Sequence, residues 1–143
     1  MKMCLCLLIG AVTVGAATAA APAAQSDELL DDKDVKLVSF VDLDYSPIAK
    51  SARVQGVVVV RVDLDEQGRV RQAVALSGPN ILATDSIANA RKWVFKPNAR
   101  RRAFIVYDFR LEMGVCHDDS HSLFLLQHFN FASIIACAPV ISG

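Results

Sequence analysis

The chain has 143 residues, 53% of them hydrophobic, and its 15 basic residues balance 15 acidic ones for a formal net charge of +0. That length allows one domain, and a neutral balance lacks the basic excess needed to neutralise nucleic-acid phosphates. There is no Gly-rich phosphate loop, no nucleophile beside an obvious base and no convincing metal-ligand cluster. The function class left is binding without enzymatic chemistry, with no cofactor and no small-molecule substrate.

Residues 1–24 read as a signal peptide. Lys2 precedes an uncharged apolar stretch over 3–17, which runs into Ala-Thr-Ala-Ala-Ala-Pro-Ala-Ala. A positive start, an apolar middle and a small-residue end describe a secretory leader, with cleavage after Ala19 or Ala20. An uncleaved anchor is the competing reading, because 3–24 is just long enough to span a bilayer. The short apolar region and the alanine-rich end favour cleavage. Cys4 and Cys6 leave with the leader, so the mature chain keeps Cys116 and Cys137. Two thiols in an oxidising compartment are expected to pair.

Residues 25–44 form an acidic lead-in carrying Asp27, Glu28, Asp31, Asp32, Asp34, Asp42 and Asp44, expected as a solvated tether of which part can dock. A short helix comes next, with Ser46 as its cap, Pro47 at its first position, and Ile48, Ala49 and Ala52 on one face. Residues 57–64 are the clearest strand. Val58, Val60, Val62 and Leu64 alternate with Arg61 and Asp63. Asp65-Glu66-Gln67-Gly68 is a turn, and a returning strand over 69–76 places Val70, Val74 and Leu76 on one face.

A second helix is expected over 81–94, its buried stripe made by Ala83, Ile87, Ala90 and Val94 and its stop by Pro97. The third strand, 103–113, sets Ile105, Tyr107, Phe109, Leu111 and Met113 toward the core, with Asp108, Arg110 and Glu112 opposite. The fold class is therefore α+β: a small antiparallel sheet of hairpin, crossover helix and third strand, with two helices on one face. Residues 114–143 form an extension with two strand-like segments, 122–127 and 131–137, that packs on this domain. The first of them is expected to run back antiparallel along the third strand.

Few side chains suggest a site. Trp93 reads either as a partner anchor or, with its place in an apolar run, as the helix-to-sheet packing residue. Lys92, Lys96, Arg100, Arg101 and Arg102 suit a solvated helix end and loop. Cys116, His117, Asp118, Asp119 and His121 are adjacent loop residues that point in different directions, so no metal site is expected. Ser120 beside His121 and Asp119 is no triad, since triads are assembled from separate segments.

The order of residues over 45–113 resembles the C-terminal domain of the TonB family. Tyr45, Pro47, Ala49 and Ala52 are similar to its opening helix, Gly56 and 57–62 to its first strand, and Gly68-Arg69-Val70 to its turn. Ser77-Gly78, Leu82 and the run Arg91-Lys92-Trp93-Val94-Phe95-Lys96-Pro97 come after these in family order; that last run is the most specific. Ala83 stands where the family usually has an aspartate, leaving Asn80 as the expected cap. The leader has no histidine and no Pro-rich reach comes after it, so the energy-transducing parts of TonB are not expected. The resemblance implies a periplasmic, non-enzymatic domain that binds an outer-membrane transporter peptide or another envelope protein by strand addition. The third strand would offer the edge, with Phe104, Val106, Asp108 and Arg110 as partner-binding residues. The alternative is a structural or assembly module whose edge is self-covered or pairs with a second copy.

Overall fold

The computed structural model describes residues 35–113, 121–127 and 130–139. In chain order the elements are β1 (Leu37–Ser39), α1 (Pro47–Ser51), β2 (Gly56–Leu64), β3 (Val70–Ser77), α2 (Asn80–Ala90), β4 (Val94–Phe95), β5 (Arg102–Glu112), β6 (Leu123–Gln127) and β7 (Phe131–Cys137). The main sheet has strand order β3-β2-β5-β7-β6, and a second ribbon pairs β1 with β4. The expected signal peptide, the acidic residues before Val35, and residues 114–120 lie outside the described residues.

Alternation in β2 and β5 builds the core. Val58, Val60 and Val62 interleave across the strand pair with Ile105, Tyr107 and Ala103, all fully buried beneath α2. Trp93 and Phe95 close this layer, the Trp93 ring meeting Tyr107 edge-on at 6.0 Å. Both helices lie on this face, as the α+β reading expects; α1 contributes Ala49 and α2 contributes Leu82, Ala83 and Ala90. At the hairpin, Gly68 takes φ +81°, and the Asp65 carboxylate accepts from the backbone N–H groups of Gln67 and Arg69. The Arg69 bonds hold that carboxyl below its ordinary range.

Several local expectations are corrected. β3 is bulged twice against β2, once near Arg71 and once near Leu76. An extra residue flips the alternation beyond it. Val70 therefore packs on the core, but Ala73 and Ala75 take over the inner face and Leu76 is exposed. α2 ends at Ala90 rather than continuing to Val94, which joins β4. Ser46 and Pro79 occupy the cap positions, neither helix has a side-chain cap bond, and Asn80 is the first residue inside α2. Ile48 is exposed, because a five-residue helix turns only Ala49 fully inward. Met113 projects past the end of β5 and is 86% exposed.

The lead-in is not a free tether from Val35 onward. β1 pairs with β4, and Val35, Leu37 and Leu43 pack on the core. The Asn89 side chain clamps the stretch between β1 and α1. Its Nδ2 donates to the carbonyls of Val41 and Asp42 at 2.9 and 3.1 Å, and its Oδ1 accepts from Trp93 Nε1 and the Tyr107 hydroxyl. Each hydrogen-bonding position of this buried amide is thereby satisfied.

Candidate functional site

A sheet that binds a strand does so with backbone groups, so its edges are the functional geometry. The expected edge belongs to β5. One side of β5 is paired antiparallel with β2 from Arg102 to Phe109. The other side is paired with β7, in parallel, from Val106↔Phe131 to Glu112↔Cys137. The expectation that 122–127 would run antiparallel along the third strand is thus corrected. β6 instead pairs antiparallel with the far side of β7, which makes the sheet mixed rather than antiparallel.

The order is set by burial. Ala132, Ile134 and Ala136 face the core and Ser133 is buried on the other face, so β7 suits an interior position. β6 alternates between half-buried Phe124 and Leu126 and exposed Leu123 and Leu125, the pattern of an outer strand. Parallel pairing needs a long connection, and residues 113–130, which include β6, supply it.

Phe104, Val106, Asp108 and Arg110 all lie on the sheet face away from the helices. Phe104 and Asp108 are buried, Val106 is half-buried and Arg110 is exposed. Asp108 accepts from Arg110 Nε at 2.7 Å, and this carboxylate holds the guanidinium protonated above its ordinary range. Asp108 sits between Val57 on β2 and Ser133 on β7, so the four residues line a filled strand position.

The extension is also tied to the front of the domain. Tyr45 is buried, with its ring edge-on to Phe109 at 5.3 Å and its hydroxyl donating to the Val54 carbonyl. Its backbone N–H donates to Ser122 Oγ at 2.6 Å. Phe40 stacks on Phe124 at 5.9 Å while touching Trp93 at the same distance. Trp93 is fully buried, which settles it as a packing residue and not a surface anchor. Of the expected loop cluster, only His121 is described, and it is exposed; Cys116, His117, Asp118, Asp119 and Ser120 lie outside the described residues. Neither the Asn89 clamp nor the outer position of β6 is legible in sequence. A lone Asn in a helix signals no partner, and strand order depends on contacts distant in the chain.

No helix among the described residues is long and apolar enough to cross a membrane. No curated protein matches the chain. Among solved structures, a solution NMR structure of the Pseudomonas aeruginosa TonB C-terminal domain matches with 23% identity and a TM-score of 0.43. That match covers 59% of this chain and 94% of the other. Residues 41–111 match the family described as Gram-negative bacterial TonB protein C-terminal. The chain belongs to the TonB C-terminal domain family, whose members are envelope protein-interaction domains.

Proposed function

We propose that this chain is a periplasmic, non-enzymatic protein-interaction module whose own C-terminal extension fills the strand position that a partner segment would otherwise take. The observation that supports this reading is the continuous pairing of β5 with β7 from Val106 to Glu112. An extended segment of an outer-membrane transporter, or of another envelope protein, adds beside β5 only after β7 leaves. Leaving exposes Ile134, worth about 1.5–3 kcal/mol of apolar burial, together with two buried alanines and the strand's backbone bonds. The assembly-module reading is therefore favoured over that of a ready transporter receptor.

A Cys116–Cys137 disulfide would reinforce the cover. Cys137 lies across from Glu112 at the end of β7, and Cys116 stands four positions beyond Glu112 along the chain. The bond would fasten the end of β7 to the chain just beyond β5. Cleavage of the leader between Ala20 and Gln25 would deliver the chain to the oxidising compartment in which that bond forms.

The test compares the oxidised mature protein with a chain ending at Met113, each titrated with an extended transporter peptide. The expected result is binding at least tenfold weaker for the mature protein, since covering the edge is worth more than about 1.4 kcal/mol. Equal affinity would sink the self-covering reading.

A further inference from the structure

Because β7 fills the place beside β5, the outer strands of the sheet among the described residues are β3 and β6, and they are built differently. β3 is defended: two bulges break its register, and Arg71 and Gln72 stand exposed. Bulges and charges are the usual means of blocking edge-to-edge pairing. β6 has neither. Its five residues, Leu-Phe-Leu-Leu-Gln, pair with β7 without a register shift and carry no charge and no proline. Leu123 and Leu125 remain 55% and 43% exposed on it. Among the described residues, no strand pairs with its far side.

We propose that β6 is a homodimerisation strand, on which a second copy of this chain pairs antiparallel about a two-fold axis at Leu125. The sequence of β6 is complementary to itself in that register. Leu125 meets the same residue of the second copy, Leu123 meets Gln127, and Phe124 meets Leu126 on the inner face. Each pairing is apolar or neutral, so no like charges oppose one another across the junction. Without Lys2 of the leader the chain has 14 basic and 15 acidic residues, a net charge of −1, too small for strong long-range repulsion between copies. Two five-stranded sheets would become one continuous sheet with only the defended β3 edges exposed.

Size decides the strength. A stable interface buries about 1,200–2,000 Å², and one five-residue strand pair supplies only part of that. The dimer is accordingly reversible, with a Kd between about 1 µM and about 1 mM. The inference rests on the strand order and not on the identity of any envelope partner, so it can fail while the proposed function stands.

The experiment is sedimentation velocity on the full mature chain over about 1 µM to about 1 mM, alongside L125K, L125E and their equimolar mixture. Leu125 is exposed, so both variants are expected to keep the wild-type circular dichroism. The wild type should shift from monomer toward dimer as concentration rises. Each single variant, placing like charges together at the axis, should weaken association by about two- to fivefold, and the mixture should recover it. A wild type that stays monomeric throughout, an L125K that associates like wild type, or a mixture that fails to recover would overturn the proposal. A monomer whose β6 amides shift on adding an extended envelope peptide would overturn it in favour of that occupant.

Discussion

Replacing Asn89 by alanine tests the network that ties lead-in, helix and sheet together. The substitution removes one acceptor shared by Trp93 Nε1–H and the Tyr107 hydroxyl, at 2.8 and 2.9 Å, and the donor to the carbonyls of Val41 and Asp42. Those carbonyls belong to exposed residues and can turn to water, so their loss adds little. Trp93 and Tyr107 are fully buried and cannot. Two orphaned buried donors at about 1–3 kcal/mol each give an expected loss of about 2–6 kcal/mol. That is a large part of the roughly 5–15 kcal/mol that keeps a domain folded. At about 4–8 °C per kcal/mol, the melting temperature should fall by about 10 °C or more. Urea unfolding tracked by the fluorescence of Trp93, the sole tryptophan, measures it directly. Tyr107→Phe is the companion, expected to lose about 1 kcal/mol because Asn89 keeps its bond to Trp93. If Asn89→Ala loses less than about 1 kcal/mol, the buried network is not what holds these segments together.

Three further outcomes are expected. Gly68→Ala should cost more than about 3 kcal/mol in thermal unfolding, since the left-handed backbone alone costs about 1–2 kcal/mol and the new Cβ would lie 1.8 Å from the Phe95 carbonyl oxygen; a loss under about 1 kcal/mol would contradict the geometry. Burial pushes the Tyr45 phenol up to about 12 and raises Tyr107 as well, so the folded state favours the neutral forms. Their contribution is complete below the ordinary tyrosine value of about 10 and is lost as pH rises toward the folded value. Urea midpoints should fall across that window, less steeply in Tyr45→Phe; an unchanged slope in the variant would exclude Tyr45 as a source. Finally, thiol titration of non-reduced mature protein should find no free thiol, and reduction should lower stability by about 3 kcal/mol for a loop of about 20 residues; two titratable thiols would remove the proposed Cys116–Cys137 fastening.

The strands β2 and β5 and the turn at Gly68 were legible because each is specified locally. Alternation at Val58, Val60 and Val62 and at Ile105, Tyr107 and Phe109 fixes which way those strands face, and only glycine suits the φ at 68. The errors fell where a distant contact overrides the local pattern. Val74 and Leu76 alternate correctly with each other, yet a bulge against β2 turns them away from the core. Residues 91–94 read as helix because Val94 continues the apolar spacing, but the helix stops at Ala90 and pairing with Leu37–Ser39 draws Val94 into β4. Met113 alternates with Leu111, but it lies past the last pairs on both sides of β5, at Phe109 with β2 and at Glu112 with β7, and it is exposed.

For the candidate site the division is sharper. The order of motifs from Tyr45 to Pro97 by itself determined the family, because those residues meet needs of the chain close by: a helix start, a turn, a helix stop and a packed aromatic run. Sequence also marked 122–127 and 131–137 as strands that must pack on the domain. Which of them lies against β5 was decided only in the tertiary structure. Both segments are apolar, and their local patterns do not rank them. The ranking comes from two-sided burial: Ala132, Ser133, Ile134 and Ala136 fit between neighbours, whereas Leu123 and Leu125 stay at the rim. That choice fills one edge of the sheet and creates another.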